Sequence, residues 1–250
     1  MAFPFKEAEC KLFKNTFLQS VIITYRFEKL DSDLFDDAFE RRMKDYLCGN
    51  FGLTIEKNIK NGPISITSSD KSVSYVLSDE FVAVKVNAKN YKSFGNSVIQ
   101  YNDALKMFIR NVLQIESVVS LSLRKINIWP FRNDSEEEID QNELWNKILS
   151  KDIIQTARVD EDSKFAGSRI VKVEDKDVSV NIRLVPVVAT EDGKRMNYVV
   201  DIETTQSPAF GVELKGTREK LRNLNQKLYD AFIWAINPKI ISLMEGKDYE

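Results

Sequence analysis

Residues 217–244 read TREKLRNLNQKLYDAFIWAINPKIISLM, and this stretch decides the fold. Leu221, Leu224, Leu228, Phe232, Ala235 and Ile236 recur three or four apart, so an α-helix carries all six on one stripe. Arg218, Lys220, Arg222 and Lys227 are left to face water. Burying such a stripe stabilises by roughly 1.5–3 kcal/mol per large side chain. A rod this apolar on one side needs a broad surface to lie on, and a twisted antiparallel sheet is the surface expected. Asn237 and Pro238 interrupt the run, either as a kink or as a new helix capped by Asn237 with Pro238 in its first turn.

Working outward, residues 17–27 (FLQSVIITYRF) alternate, with Val21, Ile23, Tyr25 and Phe27 on one side and Ser20, Ile22, Thr24 and Arg26 on the other. A helix striped by Phe35, Ala38, Phe39, Met43, Tyr46 and Leu47 follows, capped by Asp31 or Asp33 and ended by Gly49. Strands are expected from Phe51 through Ile55 and over 64–68, 72–77 and 81–86, then a helix over 97–114 with Val98, Tyr101, Leu105, Phe108 and Val112 inward. The second half repeats the order. A strand over 118–129 and an acidic linker over 134–140 lead to a short helix bearing Leu144, Trp145, Ile148 and Leu149, with Asp140 and Glu143 at capping-box spacing. Strands over 154–160, 169–174, 178–186 and 197–204 precede the long helix.

The expected fold class is therefore α+β: two tandem β-α-β4-α repeats with a period of about 105–115 residues, over 1–116 and 117–250. Each is a curved antiparallel sheet covered by its C-terminal helix, and joining the sheets edge to edge would hide two strand edges. The arrangement resembles the TATA-binding-protein-like or helix-grip topology, which by itself assigns no function.

Composition narrows the chemistry. The 250 residues contain 36 Lys+Arg against 38 Asp+Glu, so no global charge attracts nucleic acid or an anionic membrane. Cys10 and Cys48 are too few for a disulfide framework. No leader, anchor or eighteen-residue apolar window is read in the chain, and a cytoplasmic, reducing location is expected. Histidine is absent, which removes Ser-His and Cys-His nucleophile pairs, histidine zinc sites and imidazole acid–base work. GxGxxG, GxxxxGK[ST] and GxSxG are absent too.

Several stretches carry a family resemblance. Residues 20–27 (SVIITYRF), Ser69 with Asp70, Val76 with Leu77, Phe81, Tyr91 with Phe94, residues 123–127 (LRKIN) and residues 224–236 (LNQKLYDAFIWAI) together resemble a sporadically distributed prokaryotic family of uncharacterised proteins of about this length. Ser20 stands where the family has Glu, Asn225 where His is frequent, and Lys125 where an aromatic is usual. The resemblance implies a prokaryotic source, an unassigned function and a setting among defence or mobile-element genes.

Candidate sites follow from residue type and spacing. Asp201 and Glu203, two apart on one strand, share a face and could hold Mg²⁺; the alternative is a solvated strand face. Glu174, Asp175 and Lys176 superficially match an acid-x-Lys nuclease element but read better as a hairpin tip. The acidic clusters at 136–138 and 160–162 lack the glycine and spacing of a calcium loop. Arg26, Arg124 and Asn127, on the two first strands, are the candidate binding set for a polar partner or anion. The competing reading pairs Arg124 with a carboxylate that locks the halves together. Nucleic acid is the less favoured partner, because the outward positions Thr54, Glu56, Asn58, Ser72, Ser74 and Arg183 are mixed, and Lys85, Lys89 and Lys92 read as a solvated rim.

The functional expectation is a non-enzymatic interaction or scaffold protein with a protein partner, no membrane and no cofactor. A sensor binding a small ligand or nucleic acid on the sheet face is the alternative, and a carboxylate-metal enzyme using Asp201 and Glu203 comes third.

Overall fold

Tyr25 shows how the chain builds its core: it faces inward from a strand, and its hydroxyl donates to Asn102 Oδ1 at 2.6 Å, both residues being buried. The computed structural model describes residues 2–31, 41–42, 45–46, 53–56, 63–132, 141–157, 168–188 and 195–246. It is a mixed α+β protein. Its strands are β1 (Leu18–Arg26), β2 (Leu53–Glu56), β3 (Ile64–Ser68), β4 (Val73–Leu77), β5 (Phe81–Asn87), β6 (Ser117–Val118), β7 (Ser120–Arg132), β8 (Arg169–Asp175), β9 (Val178–Val188), β10 (Arg195–Gln206) and β11 (Val212–Glu213). The helices are α1 (Ile99–Asn111), α2 (Gln141–Ile148), α3 (Lys151–Ala157), α4 (Thr217–Ala235) and α5 (Pro238–Met244). Among the described residues, nine strands follow the order β2-β3-β4-β5-β1-β7-β10-β9-β8, and β11 pairs with β6.

The contacts divide into two compact units. One comprises Ser20–Arg124 and Thr205–Leu224. In it β2, β3, β4, β5 and β1 pair antiparallel in that order. Val21, Ile23 and Tyr25 on β1, Val82, Val84 and Val86 on β5, and Tyr75 on β4 are buried, as are Leu105, Phe108 and Ile109 on α1. A π-turn over Phe94–Val98 leads into α1, and Ser93 caps it by accepting the Asn96 N–H at 3.2 Å. On the surface of this unit Arg218 grips Asp103, with Nε 2.9 Å from Oδ1 and Nη2 donating to Oδ2.

The other unit comprises Met1–Gln19, Lys125–Thr204 and Asn225–Glu250. Here β8 and β9 pair antiparallel through a tight turn at Lys176 and Asp177, in which Lys176 has φ 53, so Glu174 and Asp175 end a strand at the hairpin expected there. Trp145 on α2 meets Tyr198 on β10 edge-on, with centroids 4.7 Å apart, and both are buried. The long helix stops at Ala235, and α5 begins afresh with Asn237 as its cap, accepting the Lys239 N–H at 3.0 Å. Of the two expectations for Pro238, the second holds.

One expected strand is a helix. A strand is expected over 154–160, yet α3 runs through Lys151–Ala157, and residues 158–160 lie outside the described residues. Ser150 accepts the Ile153 N–H at 3.3 Å, the bond of an N-cap, and Ile153, Ile154 and Ala157 are all buried on one helical face. Capping plus a three-residue apolar stripe outweighs the weak strand preference of isoleucine. The expected helix around 35–47 and second strand lie largely outside the described residues: 41–42 and 45–46 are helical, and Leu53–Glu56 forms β2. The acidic clusters at 136–138 and 160–162 also lie outside them.

Adjacent positions on α1 test the burial pattern. Phe108 is fully buried and Met107 is 52% exposed. Phe108→Ala is expected to lower stability by about 3–5 kcal/mol, and Met107→Ala to change it by no more than about 0.5 kcal/mol. Urea unfolding midpoints at constant slope read both.

Candidate interaction face

Strand alternation fixes what the face opposite the buried one carries. In the unit built on β1 to β5, the register sets Thr24 beside Ala83, Ala83 beside Val76, and Val76 beside Ser65. A second row runs Ile22, Lys85, Ser74, Thr67. A third begins with Arg26 beside Phe81, and the guanidinium carbon lies 5.6 Å from that ring centroid, within reach of a cation–π contact. Arg26 and Lys85 are exposed, and Ile22, Thr24, Val76 and Phe81 are half-buried. With neighbours in a row about 4.8 Å apart from strand to strand, the result is a surface of hydroxyls and medium apolar side chains around two exposed cations.

Of the binding candidates, Asn127 is set apart from Arg124 by strand parity. Arg26 ends β1 and stacks on Phe81. Arg124 is half-buried on β7. Asn127 is buried, and its Nδ2 donates to the Val200 carbonyl at a long 3.5 Å. Asn127 lies three positions after Arg124, and an alternation of two sends them to opposite faces. Asn127 shares the inward parity of Leu123 and Trp129, which are buried. Asp201 and Glu203 do share one face of β10, with Asp201 only 6% exposed and Glu203 half-buried. No group of three His, Cys, Asp or Glu side chains suited to a metal ion occurs among the described residues, so the two stand as a pair.

A polar cluster not anticipated from the sequence lies in the other unit, where residues 2–16 cross α4. Gln226 and Asp230 stand one helical turn apart. Gln226 Nε2 donates to the Ala8 carbonyl at 2.7 Å, and the Ala8 N–H donates to Asp230 Oδ1 at 2.9 Å. Gln226 Nε2 also reaches Asp230 Oδ1 at 2.8 Å, and Cys10 Sγ donates to Gln226 Oε1 at 3.1 Å. Burial pulls the Lys125 ammonium down to about 8, partly offset by the Cys10 thiol, while burial pushes that thiol up. The i, i+4 spacing of Gln226 and Asp230 was the available signal, but on a helix it reads as an ordinary polar face.

The lysine shift has a signed consequence. Lys125 binds its proton more weakly folded than unfolded, so between about pH 8 and its ordinary value the unfolded chain holds more protons. Its contribution to stability therefore rises with pH across that window. Lys125→Met is expected to be the more stable protein at pH 7, with the gap to wild type narrowing as pH rises toward 10. Denaturant titrations from pH 7 to 10 read the difference, with both proteins carrying Cys10→Ser to remove the thiol coupled to Lys125.

No family model matches the chain, and no curated protein matches it.

Proposed function

We propose that this chain is a non-enzymatic interaction protein that binds another protein through the sheet face bearing Ile22, Arg26, Phe81 and Lys85. The observation behind this reading is the composition of that face. Hydroxyls from Thr24, Ser65, Thr67 and Ser74 alternate with half-buried Ile22, Val76 and Phe81 around exposed Arg26 and Lys85. Mixed polarity with an aromatic and an arginine is the usual make-up of a protein interface. A phosphate track would call for more cations, and a small-molecule site for a concave apolar pocket. No helix among the described residues is long and apolar enough to cross a membrane.

The finer architecture belongs to the same proposal. Two gripped-sheet repeats of TATA-binding-protein-like topology, each with helices over one face, would leave the opposite face for a partner. The resemblance carried by residues 20–27 and 224–236 is what supports reading such a scaffold as part of a prokaryotic defence or mobile-element setting.

The test is capture of a partner from the source cells by tagged full-length protein, followed by cross-linking at Lys85. Charge reversal at the face (Arg26→Glu with Lys85→Glu) is expected to reduce capture about tenfold, equivalent to about 1.4 kcal/mol, with unfolding unchanged. Capture that survives the double reversal removes this face from the interaction. Salt-sensitive retention of DNA or RNA, lost in the double variant, would replace the protein partner with nucleic acid.

A further inference from the structure

Side-chain size changes in a regular way across the outer face of the unit built on β1 to β5. The row Thr24, Ala83, Val76 and Ser65 crosses four strands and carries short side chains. On one side of that row Arg26 stands beside Phe81, and on the other Ile22 stands beside Lys85. Ala83 has outward parity yet is only 7% exposed, so its taller neighbours close round it. The face is therefore a shallow trough running across the strands. Its walls lie two strand positions either side of the floor, about 13 Å from one to the other, and the floor runs about 14 Å from β1 to β3.

Those dimensions constrain the backbone of whatever lies there. An α-helix measures about 10–12 Å across with its side chains and bonds its own N–H and C=O groups. An extended segment would bring main-chain groups over Ala83 and Val76, whose side chains offer them no partner, and a buried main-chain group left unpaired is costly. Charge constrains the side chains. Each wall holds an exposed cation, Arg26 on one and Lys85 on the other. Neither enters an ion pair among the described residues. The exposed acids closest to them in sequence, Glu28 and Glu80, fall past the end of β1 and ahead of β5.

We infer that the partner segment is an amphipathic helix lying across the strands in this trough, apolar along its underside and carrying carboxylates on both flanks. The inference rests on reading this face as a protein-binding surface and adds what the partner must present. The apolar stripe covers Ala83 and Val76, while each acidic flank meets one wall, at Arg26 or at Lys85.

The probe is a synthetic three-heptad peptide with apolar residues at a and d and glutamate at e and g, titrated into the full-length protein and read by fluorescence anisotropy. One control peptide has lysine at e and g. A second keeps the glutamates but carries a proline in each heptad, which forbids the helix. The acidic helix is expected to bind about tenfold more tightly than either control. In the Arg26→Glu, Lys85→Glu protein the order is expected to invert, with the lysine-flanked peptide the tightest. Both side chains are exposed, so an unchanged urea midpoint confirms that this variant folds. Equal binding by all three peptides, no binding at millimolar peptide, or a preference that survives the double reversal overturns the helix. Partner capture judges the face separately: capture lost on the double reversal while no peptide binds removes the helix alone, and capture that survives removes both.

Discussion

A strand sends successive side chains to opposite faces, and that alternation governs nearly everything else in this protein. On β1 it turns Val21, Ile23 and Tyr25 into a dry interior and leaves Ile22, Thr24 and Arg26 outside. The paired strands must keep the same parity, because a one-residue slip would invert every side chain at once. Val84 beside Ile23, and Lys85 beside Ile22, follow from that requirement. The interior and the outer face are thus set by one register.

Within the interior, Tyr25 and Asn102 form a tied polar pair. Tyr25 uses its hydroxyl on Asn102, and burial is the main reason its phenol resists ionisation. Asn102 anchors α1 at that point, next to Asp103, which holds Arg218 on the surface. In the other unit Ser150 does comparable service at a chain junction. It caps α3 through the Ile153 N–H while its hydroxyl donates to the Trp234 carbonyl at 2.6 Å, and its own N–H reaches the Ala235 carbonyl at 2.8 Å. Carbonyls at the end of α4 are therefore satisfied from another segment before α5 starts.

Much of this is legible in the residues. Period-two alternation located β1, β3, β4, β5, β8, β9 and β10, and the three-and-four spacing found α1 and α4. Asn237 with Pro238 announced a new helix. What escaped had a physical reason in each case. Ile153 and Ile154 carry strand preference, but a serine cap three residues ahead made that turn helical. The arm over 2–16 has neither period, and its phenylalanines at 3, 5 and 13 find their partners only once α4 is in place. Asn127 is read with Arg124 and Arg26 from their places on the two first strands, although parity separates it from Arg124. The outer face is the least legible part, since hydroxyls and scattered charges on a strand look alike whether they meet water or a partner.

The two halves of α4 live in different surroundings. Leu221 and Leu224 are buried on one side while Arg222 and Asn223 are exposed, yet Leu228, Tyr229, Asp230, Ala231 and Phe232 form an unbroken buried run. Amide deuteration along this single rod should accordingly be graded. The opening turns can lose their protection by fraying, whereas the amides beyond Leu228 are released only when the surrounding layers come apart. A uniform-looking helix would then report two separate unfolding events.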